Sequence, residues 1–82
     1  MSESISVALQ QAWALIQTDH KSEALDIIKP ICIAEPTHAQ AWDTAASALD
    51  DPKLKRVALE RALKADPFHD LARGDLNRLD KA

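Results

Sequence analysis

The sequence predicts an all-helical chain of five short helices, and three observations predict it. Apolar residues recur at spacings of three and four in nearly every segment, which is the helical period. The 82 residues include a single glycine, too few for the turns that a β-rich fold needs. A short phrase also occurs twice: "AEPTHAQA" (34–41) returns as "ADPFHDLA" (65–72), at a shift of 31 residues. Self-similarity at a period of about 20–50 residues is the mark of stacked repeat units, and here each copy carries the helical spacing.

The first helix runs from a Ser2 or Ser4 cap to about Thr18, with Ile5, Ala8, Leu9, Ala12, Trp13, Leu15 and Ile16 apolar. Asp19-His20-Lys21 makes a turn, and Ser22 is placed to cap the second helix. That second segment, "EALDIIKPICIAEP" (23–36), is dense in isoleucine, a β-branched residue that favours strands. Strict alternation fails at Ala24-Leu25 and Ile27-Ile28, so the helical reading fits better. Pro30 deprives the Asp26 carbonyl of its partner, which costs about 3 kcal/mol in a helix interior. Burying Ile27, Ile28 and Ile31 contributes about 1.5–3 kcal/mol each, so the helix is expected to bend at Asp26–Pro30 and continue to about Ala34.

Glu35-Pro36 ends that helix, and Thr37-His38-Ala39-Gln40 has the form of a capping box. The third helix, about 39–49, carries Ala41, Trp42, Ala45, Ala46 and Leu49. Asp51-Pro52 starts the fourth, with aspartate at the cap and proline in the first turn. It runs to Ala65, with Leu54, Val57, Ala58, Leu59, Ala62 and Leu63 apolar. After Asp66-Pro67 the fifth helix spans about 70–79 through Leu71, Ala72, Leu76 and Leu79. Connections of two to five residues make neighbouring helices antiparallel.

The net charge of −3 argues against a nucleic-acid partner, which needs clustered cations. Lys53, Lys55, Arg56, Arg61 and Lys64 read instead as the solvated side of one helix. Cys32 is the only cysteine, so no internal disulfide or cysteine zinc site can form, and it reads as a small buried hydrophobe. The first residues lack a basic targeting region, and no stretch approaches the roughly 18 apolar residues that span a bilayer. A cytoplasmic protein with no membrane contact is expected. His20, His38 and His69 are dispersed, and no carboxylate or cysteine stands at metal-ligand spacing from them. His38 and His69 are equivalent within the repeat and fall at helix starts, as solvated or capping residues. Gly74 lies inside a helix and makes no phosphate loop. The reading is of a non-enzyme without cofactor or metal.

"EALDIIKPICIAEPTHAQAW" resembles the second helix of a tetratricopeptide repeat running into the next unit. The matching positions are Ala24, Ile28, Pro36 and Trp42, with Ala12 and Leu15 upstream. In the second unit they are Trp42, Ala45, Ala46 and Leu49, then Leu59, Ala62 and Pro67. Ala72 and Leu76 keep the register in the fifth helix. Three features depart from the pattern. Ala8 stands where tryptophan is usual, Lys55 where a small residue is expected, and the second unit is three residues short near Asp50-Asp51-Pro52.

The resemblance implies a single domain over 1–82, a short α-α superhelix of five antiparallel helices. It consists of repeat one at about 4–36, repeat two at about 37–67 and a capping helix at about 69–80. It also implies a protein–protein interaction module whose concave face is lined by the first helices. By register that face takes Ser6, Leu9, Trp13, Ile16 and Gln17, then Gln40, Asp43 and Ser47, then Gly74 and Arg78. The expected partner-binding set is Leu9, Trp13, Ile16, Gln17, Asp43 and Ser47. Leu9, Trp13 and Ile16 are either core or an exposed apolar stripe that binds a protein or peptide, or a second copy of the chain. Trp42 reads as packing. The paired lysines and asparagines with which such repeats grip a peptide carboxylate are missing from the first helices, so chaperone-tail binding is not implied. The alternative is a small structural or regulatory subunit of an enzyme complex.

Overall fold

Proline, aspartate and histidine punctuate the chain, and helices fill the intervals. The computed structural model describes the backbone of residues 2–81 and the side chains of 5–81. Among them are five helices and no strand: α1 (Ser2–Gln17), α2 (Lys21–Ala34), α3 (Ala39–Ala48), α4 (Pro52–Ala65) and α5 (Asp70–Lys81). Each packs on the next in sequence, and α1 also packs on α3. The principal extents are 34 × 26 × 18 Å.

The ends of the helices account for the turns. The expected Ser2 or Ser4 cap rests on side chains outside those described. At the end of α1, Asp19 adopts a left-handed φ of 65°. Its N–H donates to the Ile16 carbonyl (3.2 Å) and that of His20 to Leu15 (2.7 Å), the paired bonds of a Schellman motif. This tight stop lets α2 begin at once. The expected Ser22 cap is corrected: His20 holds the cap position, with no side-chain cap bond, and Ser22 is already helical. Helix α2 is helical through Pro30 to Ala34. Pro30 and Asp26 are both exposed, on the side of α2 where water is available to a carbonyl that loses its partner. Ile28 is fully buried and Ile27 and Ile31 are half-buried.

The expected Thr37–Gln40 capping box is also corrected. His38 caps α3, its Nδ1 accepting from the Ala41 N–H at 3.2 Å. Thr37 cannot cap because it occupies the corner of a turn closed from the His38 N–H to the Glu35 carbonyl (3.0 Å). Asp51 caps α4 as expected, accepting from the Lys53 N–H at 2.9 Å.

The 31-residue repeat is visible bond by bond. The Glu35 N–H donates to Ile31 (2.8 Å) as that of Asp66 does to Ala62 (2.9 Å). The turn bond from His38 to Glu35 recurs from His69 to Asp66 (3.1 Å). His69 Nδ1 accepts from the Ala72 N–H at 3.2 Å, as His38 does from Ala41. Finally, the Trp42 indole donates to the Pro36 carbonyl (2.8 Å), and the Arg73 guanidinium donates to Pro67 (2.7 Å). Tryptophan and arginine thus brace the same turn.

The core divides in two. Leu9, Ala12, Ala24, Ile28, Cys32, Ala41 and Ala45 join α1, α2 and α3. Ala46, Ala58, Leu59, Ala62 and Ala72 join α3, α4 and α5. Trp42 packs against both clusters, and Arg61 lies over its ring at 5.3 Å. Ile28 and Leu59 are the largest fully buried side chains. The rest is mostly alanine, which lets helix backbones approach closely.

Candidate binding groove

Helices α1, α3 and α5 wall a groove with two lobes. The first lobe, about 610 Å³, takes Ser6, Leu9 and Trp13 from α1, Asp43 and Thr44 from α3, and Leu71 from α5. The second, about 540 Å³, takes Trp13 and Ile16 from α1, Ser47 from α3, Lys55 from α4, and Asp75 and Arg78 from α5. Trp13 belongs to both lobes. Each volume lies in the range of about 300–1,000 Å³ typical of ligand sites.

The six residues expected to bind a partner are split by burial. Leu9 is 7% exposed and belongs to the first core cluster, so it forms the groove's floor and is not an exposed contact. Trp13, one turn later, is 48% exposed. Ile16 is half-buried against the first cluster. Ser47 is half-buried, and its hydroxyl donates to the Asp43 carbonyl at 3.3 Å. Asp43 is 6% exposed. These five share the groove; Gln17, the last residue of α1, is exposed and lines neither lobe. Sequence reasoning missed Lys21, Lys55, Leu71 and Asp75. Leu71, Asp75 and Arg78 stand at i, i+4 and i+7 of α5, a spacing that marks one helix face.

The electrostatics are uneven. From residue 5 to 17, α1 has no charged side chain, so its wall is neutral. Burial pushes the Asp43 carboxyl above its ordinary range, and Asp75 adds to the effect while His69 opposes it. Asp43 Oδ1 is buried without a hydrogen-bond partner among the described residues. Asp75 itself is ion-paired with Arg78. Beside the second lobe, Lys21 bridges to Asp50 at 2.7 Å, which lowers the Asp50 carboxyl and raises the Lys21 ammonium.

A second, apolar groove of about 370 Å³ lies between α2, α3 and α4, lined by Leu25, Cys32, Trp42, Leu54 and Val57 among others. Ile33, 81% exposed, stands at its edge. Burial pushes the Cys32 thiol up, which keeps it protonated and unreactive. Among the described residues, no three His, Cys, Asp or Glu side chains gather to hold a metal ion. No helix among them is long and apolar enough to cross a membrane. Comparison with known protein families, curated proteins and solved structures finds no match.

Proposed function

We propose that the chain is a non-enzymatic interaction module of the tetratricopeptide kind, which seats a segment of a protein or peptide partner in the α1/α3/α5 groove. The observation that carries this reading is Trp13. An indole half exposed where two lobes meet is the type of anchor that dominates interface energies. The groove exists before any partner arrives, so binding incurs little ordering cost. The 31-residue recurrence of turn, cap and brace supports the tetratricopeptide-like assignment.

Trp13→Ala tests the reading. Peptides selected against the wild-type chain from a random displayed library should lose about tenfold or more in affinity for the variant, while far-UV circular dichroism stays unchanged. Undiminished binding would remove Trp13 from the site. Light scattering over a dilution series distinguishes a second copy as the occupant, because Trp13→Ala would then abolish a dimer.

A second reading is a small structural or regulatory subunit of an enzyme complex. The apolar α2/α3/α4 groove favours it, since Ile33, Leu54 and Val57 are exposed there.

A further inference from the structure

Among the described residues, Asp43 is the only carboxylate or permanently charged side chain lining the first lobe. It is 6% exposed, and its Oδ1 has no partner among those residues. Four neighbouring donor groups, on Thr44, Ser47, His69 and Arg78, are engaged elsewhere. The Thr44 hydroxyl donates to the Gln40 carbonyl (2.8 Å), and that of Ser47 to the Asp43 backbone carbonyl (3.3 Å). His69 Nε2 lies against Gln40 Oε1 (3.3 Å), while its Nδ1 serves the α5 cap. Arg78 is paired with Asp75. The carboxylate neighbour of Asp43 is Asp75, a second anion and no counter-ion. A buried carboxylate with an unpartnered oxygen and no counter-ion is unfavourable, and native proteins rarely keep one without a use. Burial, and then the Asp75 carboxylate, raise the Asp43 carboxyl, which agrees with a site short of positive charge.

The walls around it indicate what would match it. Trp13 offers a half-exposed ring, and an indole face attracts a cation. Leu9 and Leu71 offer apolar surface along which a hydrocarbon stem can lie while its charged head reaches a carboxylate. The uncharged stretch of α1 adds no competing cation.

We propose that the first lobe receives a lysine or arginine side chain of the partner segment, its charged head on Asp43 and its stem against Trp13. This rests on the groove reading above and gives it a chemical preference. An acidic segment is excluded by the same carboxylate.

The test uses the full chain and peptides selected from a random displayed library. The selected peptides should carry a lysine or arginine. Replacing it with norleucine or citrulline, on the peptide alone, should weaken binding to the wild type about 10- to 100-fold. Asp43→Asn should lose the same factor, with its thermal melt at least as high as the wild type's. Peptides that need Trp13 yet tolerate the norleucine or citrulline exchange would overturn the inference and leave the groove reading standing. Selected peptides that are acidic would also overturn it. A library that yields no peptide, or only peptides indifferent to Trp13→Ala, would overturn the groove reading and this inference with it. Because the peptide exchange needs no protein variant, the result holds even if Asp43→Asn fails to fold.

Discussion

Asp43→Asn should stabilise the protein at neutral pH. A buried acceptor without a partner costs about 1–3 kcal/mol, and Asp43 Oδ1 is such an acceptor among the described residues. Asparagine keeps the shape, removes the charge and brings two N–H donors, for which the nearby Asp75 carboxylate is an acceptor. The sign of the pH dependence comes from the raised Asp43 carboxyl. Its folded-state value lies above the ordinary 3.8, so the native state binds the proton more tightly than the unfolded chain does. The wild type is therefore penalised above the folded value, and the penalty fades as pH falls from there to 3.8. Asp50 acts with the opposite sign and in another window. Its carboxyl is lowered by Lys21, so its contribution is present above 3.8 and is lost only below it. Urea unfolding followed by circular dichroism, with a slope of about 1 kcal/mol/M for a chain this small, should show a midpoint raised by about 1 M or more at pH 7. The gap should close toward pH 4. An unchanged or lower midpoint at pH 7, or a gap that ignores acid, would refute the argument.

Three further outcomes concern the frame. His38→Ala removes the α3 cap bond and should lose about 0.5–2 kcal/mol in urea unfolding, while His38→Asp, a strong capping residue, should restore most of it. Gly74 lies within α5, and a methyl group there meets no atom within 4 Å beyond its chain neighbours and the backbone of its own helix, so Gly74→Ala should gain about 0.5–1 kcal/mol by thermal melt. Ile28 is fully buried in the first cluster, and Ile28→Val should cost about 0.5–1.5 kcal/mol by calorimetry with helicity retained.

The helices were legible because their signals are local. Apolar spacing, Asp51-Pro52 and the two Pro turns placed every described helix end within about two residues of its position. The continuation of α2 past Pro30 was legible because apolar positions recur on both sides of it, Ile28 buried and Ile27 and Ile31 half-buried. The caps at His20 and His38 were not, because each depends on how the preceding turn closes. Ser22 and Thr37 are better capping residues by type but stand one or two positions away from the gap. The groove was legible as a set of first-helix positions, and five of six share it. What periodicity could not separate was Leu9 from Trp13. They lie four apart on one face, yet one is in the core and the other is half exposed. That difference arises from where neighbouring helices cover α1, which no single-helix pattern contains. The unmatched state of Asp43 was equally hidden, since it depends on hydrogen-bond choices made by Thr44, Ser47 and Arg78.

The paired braces on Pro36 and Pro67 bear on how such a chain can lengthen. Everything needed to turn the backbone, restart a helix and fix its entry lies within the few residues from the acid before the proline to the bracing side chain, 35–42 in one copy and 66–73 in the other. A duplicated 31-residue block would carry its own hinge with it. Because an indole and a guanidinium fill the bracing role equally, that position is free to vary: tryptophan where two cores must be joined, arginine where the helix faces water. Growth by copying then requires no change in the neighbouring units beyond the faces that meet.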